Sequence, residues 1–504
     1  MHWLSFSHTN KRSKQNRQAK QNKQGQSKPN HRGAHSNRCR NSLVRSPFLL
    51  GLFLVVVFGA YACGGGPGAS LKPNAFGSLA AGSAPGSSTP GSSSPGASPT
   101  SISNSPSVNL LSLGSAGFGG DDTNAIQSAL NTTAANGQVL RIPAGNYNIS
   151  PISFPDNSKV VLDSGVTITA NLGFGPLDKM LNIKSQNVII QGAGATSVIF
   201  KMRKSEYAAE HASDGSEYRH CLDIEGASNV TVSGISCNQS GGDGLYIGYG
   251  AQNQPSQNVT VSDSIFDQNF RQGFSLISGR HIFVYRCYFT HTSGTNPESG
   301  IDIEPNQASG VVADVHIEDS FTTGNNGPGV KLAFWKMDGT SEPVDLTVLR
   351  HHSSSNGQSG YDANNNDVSS NVQGKALIQD SFSTNDGDYG AFAHWWEANG
   401  TTLIFQNLSI SNPHQNGPDP TYQDSAAVAL MRKGSQANMR LGNIQFQGVN
   451  ITVNNGKVDR YFNFQDNAFT NFEKIIFNPG NLSGAKQVPP NGLVEGAGFD
   501  TVDQ

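Results

Sequence analysis

Cysteine is scarce in this 504-residue chain, which contains only five. Two lie in the first 63 residues, and the other three, Cys221, Cys237 and Cys287, fall at strand-like positions of the repetitive region described below. Three is an odd number, and no His or Cys spacing matches a zinc site. The pattern therefore favours buried core thiols over a disulfide or a metal site.

Acidic residues are missing from the start of the chain, where the first is Asp121. Residues 1–46 carry eleven Lys or Arg, and Phe48–Ala62 is an apolar run of fifteen residues, shorter than the ~20 residues of a membrane span. This pattern predicts a basic leader with an export signal in residues 1–62. Cys63 follows directly, and the arrangement resembles a bacterial lipoprotein signal whose cysteine is lipidated. Free secretion and a retained signal anchor are the alternatives, and all three predict an extracellular or cell-surface bacterial protein.

Residues 63–107 lack apolar periodicity and consist almost entirely of Gly, Ser, Pro, Ala, Thr and Asn. This composition predicts a disordered linker, followed by a single elongated domain over residues 108–504. Subtracting the eleven positive charges of the leader from the net charge of −3 leaves about −14 for the rest of the chain. So acidic a body argues against nucleic acid as a partner. We expect a monomer that contacts the membrane only through its N-terminal lipid or anchor.

The body also lacks connections long enough for crossover helices, and a short phrase recurs there at intervals of about thirty residues. Each copy is a glycine followed by alternating apolar and polar residues, and the copies begin at Gly244, Gly273, Gly300, Gly329, Gly360 and Gly390. A second alternating phrase, as in Asn229–Val232 and Asn258–Val261, recurs in phase with it. Period-two alternation predicts short strands. The chain is therefore predicted to be all-β, a parallel β-helix of about ten coils whose strands pair with their copies at ~4.8 Å.

Two other repeat folds fit the pattern less well. A propeller blade needs a longer repeat with antiparallel hairpin signals, and leucine-rich repeats need a Leu-rich consensus.

The start of the domain has a signature of its own. Gly120–Leu130 places Asp and Thr ahead of an amphipathic turn, which predicts a short helix that caps the open end of the solenoid. The strand residues Val139–Tyr147 follow. An Asp-Asp-Thr-x-Ala-Ile-Gln helix before a Pro-Ala-Gly-x-Tyr strand resembles the opening of the pectate-lyase-like superfamily. That resemblance implies a right-handed, single-stranded parallel β-helix and leaves the reaction open.

Registering the strands on their glycines defines the faces of the coil. The first and third residues after each glycine are apolar, which sets them toward the core because a slip by one residue would bury charges. The second residue then forms a column expected to face solvent, consisting of Asp223, Tyr246, Ser275, Asp302, Lys331, Asp362 and Phe392. Glu304 and His394 lie two residues further along their strands.

These residues, with aromatic neighbours at the strand ends, suggest an extended groove for a polysaccharide. The expected substrate-binding residues are Arg271, Trp335, Trp395, Trp396, Tyr246 and Glu397, and the expected catalytic residues are Lys331, Glu304, Asp302 and His394. The segment Lys201–His220 is interpreted as an insertion beside this face.

Several reactions fit the column. In β-elimination on a uronate polysaccharide, Lys331 would be the base. A lysine between two aspartates stays protonated, which is the wrong state for a base, unless a metal neutralises the acids. The acids Asp302, Glu304 and Asp362 would therefore hold Ca²⁺, as in lyases of the superfamily that the chain resembles. In glycoside hydrolysis, Glu304, with apolar column neighbours, would be the acid and Asp302 the base, ~6.5–7 Å apart along the strand.

Other family signatures are missing from the sequence. The paired-Asp, Gly-His-Gly and Arg-Ile-Lys motifs of polygalacturonase-type hydrolases are absent, as is the Asp-Pro-His-Glu motif of C5-epimerases, and Gly242–Gly244 is interpreted as a turn only.

Two non-catalytic interpretations also stay open. The alternating charges of Asp302, Lys331 and Asp362 would suit a solvated ion-pair ladder, and the whole domain would suit a glycan-binding adhesin. Two acids on one strand face favour an enzyme, and among enzymes a lyase slightly over a hydrolase.

Overall fold

The computed structural model describes residues 101–102, 104–113, 120–365, 370–418, 425–432, 441–466, 472–478, 480–484 and 499–500. The predicted leader, Cys63 and the linker up to residue 100 lie outside the described residues. The described residues all fall within one unit, Ser92–Gln504. Neither of the α-helices found among them has the length and apolar character to cross a bilayer.

Two α-helices, α1 Thr123–Ala135 and α2 Lys204–Asp214, and short 3-10 turns at Leu110–Ser112 and Ala251–Asn253 accompany the strands in the described residues. The strands are β1 Ser107–Asn109, β2 Val139–Ile142, β3 Gly145–Ile149, β4 Ile152–Ser153, β5 Lys159–Leu162, β6 Val166–Ala170, β7 Leu181–Ile183, β8 Gln186–Gly192, β9 Val198–Lys201, β10 Leu222–Glu225, β11 Ser228–Ser233, β12 Ser236–Asn238, β13 Leu245–Gly248, β14 Ser256–Ser262, β15 Ile265–Asp267, β16 Phe274–Leu276, β17 Gly279–Tyr285, β18 Tyr288–Thr290, β19 Ile301–Ile303, β20 Val312–Glu318, β21 Phe321–Thr323, β22 Val330–Leu332, β23 Val344–Leu349, β24 His352–Ser354, β25 Tyr361–Asn364, β26 Gly374–Gln379, β27 Phe382–Thr384, β28 Ala391–His394, β29 Thr402–Gln406, β30 Ser409–Ser411, β31 Ala426–Arg432, β32 Leu441–Gln447, β33 Asn450–Thr452, β34 Arg460–Asp466, β35 Phe472–Asn478, β36 Leu482–Ser483 and β37 Phe499–Asp500.

The strands form three long sheets. Sheet A has fourteen strands, in the order β1-β2-β5-β8-β11-β14-β17-β20-β23-β26-β29-β32-β35-β37. Sheet B has twelve, β3-β6-β9-β12-β15-β18-β21-β24-β27-β30-β33-β36, and sheet C has eleven, β4-β7-β10-β13-β16-β19-β22-β25-β28-β31-β34. Neighbours pair in parallel, and their numbers mostly differ by three because each coil adds one strand to each sheet. The predicted parallel β-helix is confirmed.

The core runs along the inside of the three sheets. The apolar residues after each repeat glycine, such as Phe274, Ile301 and Val330, have no exposed surface and belong to one continuous cluster. Cys221, Cys237 and Cys287 are buried free thiols, as the sequence predicted. Burial on this scale specifies the register, since a one-residue slip would put the polar residues of every strand inside.

The helix α1 lies where the sequence predicts a capping helix, and its Ile126 and Leu130 are buried against the first coil. Asp121 lies just before the N-cap residue Asp122, and its Oδ1 accepts a hydrogen bond from the backbone N–H of Thr123, the first helical residue, at 3.0 Å. Asp122 instead accepts one from the Asn148 backbone N–H at 2.9 Å. The first acid therefore starts the helix and the second ties it to β3.

Asparagine begins the second repeat phrase for a conformational reason. Asn187, Asn229 and Asn258 have φ of 60°, 56° and 54°, a left-handed conformation that asparagine tolerates better than most residues. Their side chains form a ladder in which each amide donates to the preceding one at 3.0 Å, ending at Asn157. The ladder fixes the same bend in successive coils and so keeps sheets A and C in constant relation.

Candidate active site

The column predicted from the repeat glycines is present on sheet C. Successive register partners across its strands are Asp223, Tyr246, Ser275, Asp302, Lys331, Asp362 and Phe392. We call these seven residues the acid column. Because side chains alternate along a strand, the acid column lies on the face of sheet C turned away from the core.

The expectation that this column faces open solvent is wrong. Asp223, Ser275, Asp302 and Phe392 are buried, with Asp302 only 1% exposed, and Tyr246, Lys331 and Asp362 are half-buried. Residues from outside the strands contact this face. The His220 ring stacks on Tyr246, and the Gln272 amide donates to Asp302 at 2.8 Å.

The predicted insertion Lys201–His220 contains α2 and is fixed firmly beside the acid column. Arg219, 1% exposed, donates to the Glu210 carboxylate at 2.7 Å and is 3.1 Å from that of Asp214. At the other end of α2, the Lys204 ammonium donates to the Asn269 carbonyl at 3.0 Å. Such anchoring makes the insertion a wall of the site.

Arg271 joins this wall to the turn before β13. Its guanidinium lies 3.5 Å from the Asp243 carboxylate and 3.7 Å from that of Glu217. The Asp243 backbone N–H donates to Nδ1 of His220 at 2.9 Å, so that nitrogen carries no proton. Burial lowers the pKa of His220 well below its usual value, and the ring is therefore neutral. Burial also raises the pKa of Asp243 to about 6, against the opposing effect of Arg271.

Asp302 and Glu304 form the centre of the site. Oδ2 of Asp302 accepts a hydrogen bond from the Gln272 amide at 2.8 Å, and Oδ1 has no partner among the described residues. Oε1 of Glu304 accepts one from the Trp335 indole N–H at 2.8 Å. Burial raises the pKa of Asp302 to about 7, with a further increase from Glu304. One acid is thus deeply buried and the other half-buried.

Lys331 is the cation beside these acids. Burial lowers its pKa, but the carboxyls of Asp302, Glu304 and Asp362 outweigh that effect, so the net pKa is raised. Lys331 is therefore protonated at neutral pH. Within the described part of the chain no carboxylate lies close enough to its ammonium to form a direct ion pair.

The column continues with acids on both sides of this centre. Burial raises the pKa of Asp362 to about 6 and that of Asp223 to about 8. Both oxygens of Asp223 and Oδ1 of Asp362 lack hydrogen-bond partners among the described residues. Unpaired buried carboxylates are costly, so a solvated ion-pair ladder does not describe this column. The arrangement favours groups that hold or exchange protons.

Two of the predicted sugar-stacking residues, Trp395 and Trp396, are buried, and that prediction is wrong. Trp396 packs against Phe334 in the core and donates its indole N–H to the Thr401 carbonyl at 2.8 Å. Trp395 has no exposed surface and lies against the His394 ring. Its φ of 59° interrupts the strand alternation and turns the chain inward.

His394 and Glu397 lie too far along the solenoid to join the centre. His394 lies on β28, three strand steps along sheet C from Asp302 on β19, which places it about 14 Å away at ~4.8 Å per strand. Burial lowers the pKa of His394 to about 4 and raises that of Glu397. The structure therefore does not bring these two residues together with the acids.

The remaining predicted binding residues have neighbours of their own. Trp335 is half-buried, and the Lys336 ammonium lies 3.7 Å from the centre of its ring. Tyr246 stacks on His220, with ring centroids 4.6 Å apart. Arg271 is held by acids, as described above. These three residues line the site, but each already has a partner within the protein. Lys336 covers the ring of Trp335, His220 covers the ring of Tyr246, and acids pair with the charge of Arg271.

The three carboxyl groups of the predicted calcium ligands, Asp302, Glu304 and Asp362, are not arranged to bind one metal ion. Lys331 occupies the register position between Asp302 and Asp362. No group of three or more His, Cys, Asp or Glu side chains among the described residues is arranged to hold a metal. Calcium needs six to eight oxygen ligands converging on one point, which this donor set does not supply.

The two kinds of tryptophan differ in what their removal should do. Replacing Trp396 by alanine is expected to lower the free energy of unfolding by about 3–5 kcal/mol, the usual cost of emptying a large core position. Replacing half-buried Trp335 by alanine should cost much less. Denaturant titration of both variants measures this, and equal losses would contradict the placement of Trp396 in the core.

Asp243, His220 and Gln272 were not predicted from the sequence as residues of the site. Asp243 and Gln272 stand immediately before the repeat glycines Gly244 and Gly273. That position lies at the edge of sheet C next to the acid column, so polar residues there were a usable signal. His220 gave no such signal, because the path of an insertion does not follow the repeat.

Comparison with known proteins finds a matching family model and solved structures with a similar fold. Residues 182–342 match the family model described as right handed beta helix region. The catalytic unit of a GH87 alpha-1,3-glucanase from Streptomyces thermodiastaticus has a similar backbone, at 13% identity and a TM-score of 0.51, over 76% of this chain and 68% of that one. No curated protein matches the chain in sequence.

Two further solved structures show weaker similarity. The A-module of a mannuronan C-5 epimerase from Azotobacter vinelandii has 15% identity and a TM-score of 0.47, covering 76% of this chain and 96% of that one. An exopolygalacturonase from Thermotoga maritima has 14% identity and a TM-score of 0.46, covering 76% and 92%. The family match and the three parallel sheets together show that the fold of this chain is a right-handed parallel β-helix.

Proposed function

We propose that the protein is a polysaccharide-cleaving enzyme that hydrolyses glycosidic bonds with Asp302 and Glu304. Fold alone does not fix a reaction, so the proposal rests on the site. The observation that carries it is a buried carboxyl of raised pKa, two residues from a half-buried carboxyl held by an indole N–H. Glycosidases use two carboxyl groups in different environments, one protonated and one ionised.

The roles follow from these environments. Asp302, whose pKa is raised to about 7 by burial, is the general acid that protonates the leaving oxygen. Glu304 is the base that activates water. These are the reverse of the roles expected from the sequence, because burial acts more strongly on Asp302 than the charge of Lys331 does. A separation of ~6.5–7 Å along the strand suits inversion of the sugar.

Lys331 has a supporting role. As a protonated ammonium beside both acids, it stabilises the carboxylate that Asp302 becomes after it gives up its proton. Lys331 and Glu304 are both half-buried, whereas Asp302 is buried. Because Lys331 forms no direct ion pair among the described residues, its side chain can move aside without breaking one.

The charge of the site favours a neutral polysaccharide as the substrate. Even with Asp223 and Asp302 protonated, the three acids Asp243, Glu304 and Asp362 outnumber the two cations Arg271 and Lys331. A uronate carboxylate would meet net negative charge in a region of low dielectric, which opposes binding. A neutral glycan avoids that repulsion.

The lyase predicted from the sequence is the second candidate. The feature that favours it is the pair of cations, Arg271 and Lys331, which suits a uronate carboxylate. Its weakness is that Lys331, protonated at neutral pH, is not a base. Calcium-assisted elimination stays a prediction that the assay below tests with a chelator. Export through the basic leader, with lipid on Cys63, also stays a prediction and agrees with an enzyme for extracellular polysaccharide.

The direct test is turnover by the purified protein on a panel of neutral polysaccharides and polyuronides. We expect new reducing ends from a neutral glycan, no absorbance from unsaturated uronates, and no effect of a chelator. The activity should be lost in Glu304→Gln. Unsaturated products that vanish with chelator and in Lys331→Ala would establish elimination instead. Binding without turnover on every polysaccharide would establish an adhesin.

The pH profile should follow Asp302. A general acid works only while protonated, so kcat/KM should fall above the pKa of about 7, approaching tenfold for each further pH unit. Initial rates between pH 5 and 9 at low substrate concentration measure this limb. An activity that stays constant up to pH 9 would contradict the role of Asp302.

A further inference from the structure

Gln272 is buried completely on the turn before β16, where it meets Asp302 on the neighbouring strand β19. Its Nε2 donates to Oδ2 of Asp302 at 2.8 Å, and its Oε1 accepts from the Ser299 backbone N–H, also at 2.8 Å. A backbone N–H can only donate, so Ser299 determines which end of the amide is oxygen. The amide nitrogen must then face Asp302.

This orientation decides where the proton of neutral Asp302 can lie. An amide NH₂ group donates and does not accept, and the carbonyl oxygen of a neutral carboxyl group is a better acceptor than its hydroxyl oxygen, so the 2.8 Å contact favours Oδ2 as the oxygen without the proton. Oδ1 has no partner among the described residues and is free to carry the proton. We propose that Gln272 is a positioning residue that holds Asp302 through Oδ2 and keeps its acid proton on Oδ1.

Other groups around Asp302 contribute charge without this geometric control. Lys331 faces it from β22, Glu304 follows it on its own strand, and Arg271 and Asp243 act from the turns of the two preceding coils. Ser275 is its register partner on β16. Gln272 provides the single hydrogen bond to the Asp302 carboxyl within the described structure. Losing it should disfavour the ionised form and raise the pKa of Asp302.

The inference deepens the proposed function, since a proton fixed on one oxygen is what a general acid needs, but the hydrogen-bond geometry can be tested without activity. The experiment is an NMR titration of the full-length protein labelled with ¹³Cγ aspartate, with the Asp302 signal assigned by its loss in Asp302→Asn. In Gln272→Met, which keeps the length but removes the donor, we expect the pKa of Asp302 to rise by about one unit, a tenfold change in proton affinity.

Gln272→Glu gives a second, near-isosteric variant in case Gln272→Met does not fold. One of its oxygens can still accept from Ser299, and the other must share a proton with Asp302, so the apparent pKa of the pair should also rise. The matched control is Asn356→Asp. Asn356 is a buried amide that donates to the Asp386 carboxyl at 3.0 Å in a different turn, and its replacement should leave the titration of Asp302 unchanged.

The outcomes separate this inference from the proposed function. An unchanged Asp302 titration in both Gln272 variants, or the same shift in Asn356→Asp, would overturn the inference. A shifted titration in a protein that cleaves no glycan would support the positioning and refute the hydrolase. If both hold, the alkaline limb of kcat/KM should move to higher pH in the Gln272 variants by the shift seen in the titration.

Discussion

Asp302→Asn is expected to lower kcat for glycan cleavage by about 10²–10⁴-fold, the range that general acid catalysis contributes. The asparagine side chain has the same shape and can still accept the Gln272 hydrogen bond seen at Oδ2, so the coil should remain folded. KM should change little, because a proton donated to the leaving oxygen stabilises the transition state and not the bound substrate. Steady-state kinetics on the neutral glycan identified by the panel measure both constants.

The matched control for this variant is Asp362→Asn. Asp362 flanks Lys331 on the opposite side from Asp302, so both substitutions remove one buried carboxyl beside the same cation. The pKa of Asp362 is governed by burial, Lys331 and Asp388, with no contribution from Glu304. Its removal should therefore reduce kcat far less. Equal losses in the two variants would mean that the charge around Lys331 matters and that Asp302 has no particular role as the acid.

The repeat fold was predictable because one physical constraint recurs in every coil. The alternation after each glycine places Ile301 and Val330 inside, and burial of the same two positions in successive coils leaves one register. From that register the stacking of Asp302, Lys331 and Asp362 follows, and the structure confirms it. Periodic features of this kind can be predicted from a single sequence, because every coil is a further copy of the same pattern.

The environment of the acid column could not be predicted in the same way. Asp302 is buried on a face that the Gln272 side chain contacts from a turn and the His220 ring contacts from the insertion, and insertions have no periodicity from which to infer their path. The proposed acid and base roles depend on that burial, and they are therefore the reverse of the roles expected from the sequence. Trp395 shows the same limit at a smaller scale, because its φ of 59° ends the alternation one residue beyond the pattern.

Burial without compensation has a cost, and the acid column holds several carboxyls whose pKa values lie above those of exposed aspartate. Asp243, Asp302 and Asp362 adjoin Arg271 or Lys331 and offset part of that cost through these cations. Asp223 is different. Its oxygens are without hydrogen-bond partners among the residues described, and the nearby charges of Lys179 and Lys184 are opposed by those of Glu225 and Asp243.

Asp223→Asn is therefore expected to stabilise the protein at alkaline pH. Burial raises the folded-state pKa of Asp223 to about 8, against ~3.9 in an unfolded chain. A carboxyl whose pKa is raised on folding contributes its full stability below about pH 4, and that contribution is lost as the pH rises through the folded value. At pH 9 the asparagine variant should exceed the wild type by several kcal/mol in the free energy of unfolding, and at pH 4 the two should agree.

Denaturant titrations at pH 4, 7 and 9 measure this difference, with Asp263→Asn as the control. Asp263 is an exposed carboxyl paired with Arg286 at 2.6 Å. Partial burial raises its pKa, but the hydrogen bonds from Arg286 and Ser262 and the charge of Arg286 together outweigh that effect, so the net pKa is lowered. Its removal should cost about 0–1 kcal/mol at pH 9, opposite in sign to the effect at Asp223. If Asp223→Asn instead destabilises the protein at pH 9, the ionised carboxylate must be stabilised in the folded state, and the burial of an unpaired acid at this end of the column would be refuted.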